Sequence, residues 1–445
     1  MSALEGERLS LWRRPLTVPM LAPWIALLFP LFIYCVGFHF QGGGDSTPAE
    51  LLPISLLRDG GFDFREFVSG ELPYWYRSVR GRIVSNYPVL PGLLNVPLYS
   101  AAAIAGVNLE AHHRLLSGMN ASILAALSAL FLYLALKRVC RSEKEALFFA
   151  LVYAFGTTVW SVASRAMLQH GPSVLFLSVA LWALLRGGSA VPWAGLALGL
   201  ALICRPANVA IAAPLALYVL RYERRRFLPF CAAAIPPALF HLWYAGVYWG
   251  SPFSTAQAVS PANFGGHLGT GLAGLLISPS RGLFVFSPFF LFAAAGAAAT
   301  LRPAAKAAVP PLTRFLLVAI LLDLLIYSRW TTWWGGHSFG YRLLTELVPL
   351  LMILLAIGWP RIAKRRAALV LFGLCLLFSF YVHFLGAIVG AGGFNDDIDL
   401  QPERLWNIRN SEIELSTRKL IRWILLRLGV SSERRRIDVP GHGVR

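Results

Sequence analysis

The chain has 445 residues, 57% of them hydrophobic and only 14% charged, with a formal net charge of +18. Soluble domains carry roughly one quarter charged residues, so a water-soluble globule is excluded and the apolar excess asks for lipid. The positive charge does not point to nucleic acid, because Lys and Arg gather in short loops between apolar stretches of about 18 to 24 residues. Five cysteines, Cys35, Cys140, Cys204, Cys231 and Cys375, show no CxxC or metal-ligand spacing, and no disulfide framework is expected.

In chain order, Arg13 and Arg14 precede the apolar run Leu21–Phe40. That run is too long for the core of a signal peptide and reads as a first span, with the N-terminus cytoplasmic. It opens into a long outer loop, residues 41–114, that begins GGGDSTPAE. Asp59, Asp63 and Glu66 flank Arg58 and Arg65 there, the pattern of an exposed helix face of ion pairs. The stretch Val89–Val107, broken by Pro91 and Pro97 and preceded by Pro88, reads as a juxtamembrane or re-entrant helix and not as a crossing.

Leu115–Leu136 then runs inward to Lys137, Arg138, Arg141 and Lys144. The following spans are Ala146–Ser161 outward, Gly171–Leu185 inward, Ala194–Cys204 outward, and Ala207–Leu220 inward to Arg221 and Arg224–Arg226. After them come Phe227–Trp249 outward, Leu283–Leu301 inward, Phe315–Tyr327 outward, Leu343–Gly358 inward and Ala367–Val389 outward. The expected fold is all-α, a polytopic transmembrane protein of about eleven spans. Residues 1–391 form one membrane domain, and 392–445 a polar tail whose amphipathic stretch Arg418–Leu428 reads as an interfacial helix. Most acids and histidines fall on the outer side of this scheme.

Two places there carry candidate chemistry. Asp45 follows three glycines at the end of the first span, a composition that can hold a carboxylate close to a ligand. The second is SRWTTWWGGHSFGYR, residues 328–342, which sets Trp333, Trp334 and Tyr341 among glycines beside His337 and Arg342. Interfacial tryptophans form an aromatic belt in many membrane proteins; here aromatics for a pyranose or prenyl chain and Arg for phosphate also make a sugar-phosphate site. Arg165 and His170 in SRAMLQHG, Arg205 in CRPAN and Arg281 in SPSRGLF lie at the same edge, and cationic groups beside a bilayer argue for an anionic ligand. Asp323, inside a span, reads as a structural pairing.

This layout resembles the glycosyltransferase C superfamily, specifically the bacterial membrane enzymes related to protein O-mannosyltransferase and aminoarabinose transferase. The resemblance rests on the short cytoplasmic N-terminus, Asp45 soon after the first span, the proline-rich NYPVLPGLL, the Arg-containing outer loop SRAMLQHG and the Arg205–Pro206 pair. It spans Leu21 to Val389 as a likeness of layout more than of words. It implies inverting transfer of a sugar from a polyprenyl-phosphate donor to a glycan, lipid or protein acceptor, at the periplasmic face of the bacterial inner membrane. Asp45 is then the general base, and Arg342, followed by Arg165, Arg205 and Arg82, holds the donor phosphate.

Two departures matter. Asn86 and Tyr87 stand where the family often has a Lys before its paired prolines, and SRAMLQHG offers His170 where the family often has an acid. No metal ligands are assigned, and a divalent metal ion is the one cofactor left open. The rival class is a polytopic transporter or lipid flippase, which needs as many spans but shows repeated halves that are not seen here; a non-enzymatic scaffold ranks below both.

Overall fold

The structure is a computed structural model that describes residues 21–36, 40, 42–254, 261–302, 309–391 and 393–428. Arg13, Arg14, His39, Lys306 and the chain after Leu428 lie outside the described residues. The described chain is mostly helical with almost no strand. It opens with α1 (Ala22–Val36) and α2 (Thr47–Asp59), then a hairpin of β1 (Tyr76–Val79) and β2 (Arg82–Ser85). Next come α3 (Leu90–Ile104), α4 (Leu109–Leu136), α5 (Glu143–Phe155) and, after a π-helical turn at Val159–Ala163, α6 (His170–Arg186) and α7 (Val191–Cys204). The chain continues through α8 (Val209–Tyr222), α9 (Phe227–Tyr248), α10 (Leu268–Ile277), α11 (Leu283–Phe286), α12 (Ala293–Leu301) and α13 (Leu312–Ser328). It ends with α14 (Val348–Ile362), α15 (Arg366–Ile388) and α16 (Glu412–Arg427).

Among the described residues, four helical stretches are long and apolar enough to cross a membrane: Leu109–Leu136, Arg224–Tyr248, Arg342–Ile362 and Arg366–Ile388. Other apolar helices are shorter than an unbroken crossing needs. Helix α7 has 14 residues, and at about 1.5 Å each these reach about 21 Å, against a core of about 30 Å. The breaks at Gly187, which has a positive φ, and at Arg205, extended before Pro206, fall between the spans read from sequence, whereas the π-helical turn after α5 interrupts the run Ala146–Ser161.

Two details of the outer segment differ from the sequence reading. The proline-rich stretch is one helix, α3, because Pro91 sits in its first turn, where no backbone N–H is needed, and Pro97 is absorbed within it. The hairpin was not expected. Its strands pair Val79 with Arg82, and Arg80 and Gly81 between them have φ values of 49° and 77°, the doubly left-handed turn that matches strand twist.

Packing follows the membrane pattern of close backbones and outward apolar side chains. A Cβ on Gly195 of α7 would lie 2.0 Å from the Phe230 carbonyl oxygen of α9, and one on Gly296 of α12 would lie 1.8 Å from that of Leu354 in α14. Such glycines let helices touch where lipid offers no hydrophobic drive. Helix α15 turns Val370, Leu374 and Leu377 outward at 63%, 60% and 66% exposure. On its inner side His383 is fully buried, with Ser161 Oγ 2.8 Å from Nδ1 and Ser287 Oγ 2.9 Å from Nε2. Apolar outside and satisfied polar groups inside suit lipid as solvent.

Candidate active site

The GGGDST segment folds as a turn that feeds α2. Ser46 Oγ donates to the Gly43 carbonyl or to Glu50 Oε1, at 3.0 and 2.6 Å, and accepts the Gly43 amide at 3.1 Å. The glycines serve differently from the expectation: none of the three takes a left-handed φ. Gly44 is needed for space, since a Cβ there would lie 2.4 Å from the Tyr74 hydroxyl and 2.6 Å from the Trp75 ring.

That close approach fixes Asp45. Its Oδ1 accepts the Tyr87 hydroxyl at 2.6 Å and the Tyr74 hydroxyl at 3.1 Å, and its Oδ2 accepts Arg342 Nη1 at 2.7 Å. Arg342 lies 297 positions along the chain, at the start of a 3-10 turn (Arg342–Leu347) that leads into α14. The loop before it bends at Gly335, Gly336 and Gly340, with φ values of 77°, 68° and 61°; residues with a Cβ rarely adopt this region. Burial opposes ionisation of Asp45. The Arg342 charge and the hydrogen bonds from Tyr87, Arg342 and Tyr74 outweigh it, leaving the carboxyl below its usual value. Burial and the Asp45 charge push the Tyr74 phenol up to about 12. With the carboxylate ionised, both phenols remain donors. Arg342 Nε is enclosed without a protein partner.

A second charged set lies deeper in the same end of the bundle. Glu346, on the turn begun by Arg342, sits 3.1 Å from His170 Nδ1 and accepts Arg205 Nη1 at 2.9 Å. Arg205 also donates to the Tyr327 hydroxyl. Asp323, expected as a structural pairing, is buried nearby with Oδ2 unpartnered. Glu346 was visible only as one outer acid among many, and its signal was the spacing from Arg342, which puts both on one short turn.

The remaining candidates separate. Arg165 is buried against α1: Nη2 donates to the Tyr34 carbonyl, Nε meets Ser164 Oγ at 3.2 Å, and Nη1 has no partner. Arg82 is exposed on the hairpin over the Tyr248 ring, away from Asp45. His337 is exposed and 2.8 Å from Asp399. Tyr341 is buried and bonded to Ser287 Oγ at 2.7 Å. Trp333 packs with Phe394, Ile398 and Leu405 of the tail, and Trp334 lies against the same cluster. Trp333 and Tyr341 are thus buried in protein, and Trp334 is half-buried.

The tail is therefore more than an interfacial helix. Glu412, the first residue of α16, is fully buried, lies 2.7 Å from Arg281 Nη1 and accepts the Gly340 amide at 2.7 Å. Arg281 also donates to Asn395 Oδ1 at 2.6 Å and to the Trp334 carbonyl at 3.1 Å. The tail thus clamps the loop that presents Arg342. Beyond Glu412, α16 turns Ile421, Trp423 and Leu428 outward.

Among the described residues no group of three or more His, Cys, Asp or Glu side chains is arranged to hold a metal ion. No family model, curated protein or solved structure matches the chain. What the site can do has to be read from its own geometry.

Proposed function

We propose that this protein is a membrane glycosyltransferase that moves a sugar from a polyprenyl-phosphate donor to an acceptor at the outer face of the membrane, with inversion. The observation that carries this reading is the ion pair between Asp45 and Arg342, held at one end of a bundle whose outer surface is apolar. A carboxylate beside a guanidinium supplies the two groups that such a displacement needs. The acceptor oxygen attacks the anomeric carbon and its proton passes to Asp45; the bond from that carbon to the phosphate oxygen breaks, and its electron pair leaves on the phosphate beside Arg342.

In the resting pair Asp45 is a weak base, because Arg342 stabilises its charged form. A donor phosphate competes for Arg342, and as the guanidinium turns toward it the carboxylate becomes more basic. Base strength then appears only when donor is bound, which protects the site from idle proton transfer. The unpartnered Arg342 Nε supplies a further donor for that phosphate.

In this reading the chain crosses the membrane about eleven times, shorter helices meeting end to end through the breaks described above. The N-terminus is cytoplasmic, and Asp45, the 335–342 loop and the tail are periplasmic in the bacterial inner membrane. The membrane-buried charges of Arg205, Glu346 and Asp323 favour a second reading, a transporter or lipid flippase, since such groups mark ion and substrate paths.

One experiment separates the two. The purified full chain, reconstituted in vesicles, is given a panel of radiolabelled polyprenyl-phosphate hexoses and pentoses with a lipid and glycan extract as acceptor. Label appearing in acceptor, and absent with Asp45→Asn, supports the transferase. Label that moves across the bilayer still attached to its polyprenyl phosphate supports the flippase and overturns the transferase.

A further inference from the structure

A second group of hydrogen-bond donors without acceptors lies in the outer segment, where the hairpin meets the end of α9. Alternation along β1 puts Tyr76 on one face, against Phe64 with ring centroids 4.9 Å apart, and Arg77 on the other. The Arg77 guanidinium carbon is 4.9 Å from the centre of the Trp249 ring. Tyr244, 1% exposed, packs edge-on to Trp249 at 5.2 Å.

Trp249 Nε1 donates to the Ser85 carbonyl at 3.1 Å, but its neighbours are not so satisfied. Arg77 Nε and Nη2 and the Tyr244 hydroxyl are enclosed and have no hydrogen-bond partner. Three other enclosed arginines pair with acids, Arg205 with Glu346, Arg281 with Glu412 and Arg342 with Asp45. The Arg77 side chain has no ion pair to any described residue. Leaving a donor enclosed and unmet costs about 1–3 kcal/mol, and more for a charged one. Three such atoms on neighbouring side chains, two of them able only to donate, call for oxygen acceptors from outside the chain. The half-buried Arg77 leaves a way in.

We propose that Arg77, Tyr244 and Trp249 form an oxyanion subsite that takes a phosphate or carboxylate group of the acceptor. The chain ties this subsite to the Asp45 pair, because Tyr74, which donates to Asp45, lies three residues before Arg77. Trp249 supports the guanidinium from one side, and the anion meets its open N–H edge. That the bound group belongs to the acceptor rests on the transferase reading; the oxyanion chemistry does not.

The test is binding of inorganic phosphate, and separately of undecaprenyl phosphate, to the purified full chain by equilibrium titration. Arg77→Gln should weaken the inorganic phosphate site at least about tenfold, as loss of one charge-assisted contact does. Tyr244→Phe, which keeps the ring, should weaken it severalfold, and Arg342→Gln should leave the Arg77-dependent site in place. Undecaprenyl phosphate should bind Arg77→Gln as it binds wild type. Equal loss of undecaprenyl phosphate in Arg77→Gln would overturn the acceptor assignment and give the subsite to the donor. Unchanged phosphate affinity in Arg77→Gln and Tyr244→Phe, with Tyr244→Phe more heat-stable, would overturn the subsite itself, since these donors would then be met by water alone. Because inorganic phosphate binding needs no turnover, the subsite stands or falls separately from the transferase.

Discussion

Asp45 accepts three hydrogen bonds, one from a cation, and its side chain is 23% exposed. An exchange to Asn is therefore not a surface change. The amide nitrogen of Asn must face either Arg342 or the tyrosine hydroxyls, setting donor against donor, at a cost of about 1–3 kcal/mol. Asp45→Asn is expected to fold with a lower melting temperature, and to lose sugar transfer about a hundredfold to ten-thousandfold while keeping polyprenyl-phosphate binding. Transfer within a few-fold of wild type would remove Asp45 as the base. Arg342→Lys keeps the charge and can reach Asp45, but an ammonium cannot give phosphate a planar two-pronged contact. The expected outcome is a donor KM raised about tenfold or more, read from initial rates against donor concentration. Normal kinetics would reduce Arg342 to a partner that only holds Asp45.

At the scale of elements, the loop 335–342 and the tail stabilise one another through Glu412. Burial pushes its carboxyl up from 4.5 to about 7, against the Arg281 charge and the Gly340 amide. Burial likewise draws Arg281 down, against the attraction of Glu412, with Arg342 adding a little repulsion. The docked tail thus holds its proton more tightly than a free tail does. By linkage this favours docking most below 4.5, and the contribution is lost as pH rises through about 7. Hydrogen exchange of the 335–342 amides, corrected for intrinsic rate, is expected to show less protection at about pH 8 than at about pH 5. In Glu412→Gln, neutral throughout, that pH dependence should vanish while docking persists. Protection that grows with pH in the wild type would show that the ion pair outweighs burial.

At the scale of the whole molecule, the charge pattern makes the sharpest forecast. If Lys and Arg clusters face the cytoplasm, a cysteine at position 224 is shielded in intact cells and one at position 337 is labelled by an impermeant maleimide. His337 is 57% exposed, so the probe can reach that site. The five native cysteines are replaced first, because Cys231 is exposed. Labelling at 224 without permeabilisation would invert the topology and put Asp45 in the cytoplasm, where a lipid-borne donor has no advantage over a nucleotide sugar.

The sequence by itself determined that the chain is mostly helical and apolar, because composition and hydropathy period are local properties. It also singled out Asp45, Arg342, His170 and Arg205, since a charge beside an apolar run is costly and stands out in one dimension. It did not determine helix lengths: the π-helical turn at Val159–Ala163 and the 3-10 turn at Pro288–Phe292 break a helix without changing mean hydropathy. The hairpin was hidden because Arg80–Gly81 is a weaker turn signal than Asn–Gly. Only the tertiary structure decided which charges pair. Asp45 with Arg342, Arg205 with Glu346 and Arg281 with Glu412 join residues far apart in the chain. Long-range ion pairs leave no spacing to read, and the tail aromatic and acidic residues look like those of any polar tail until Trp333 and Arg281 are seen beneath them.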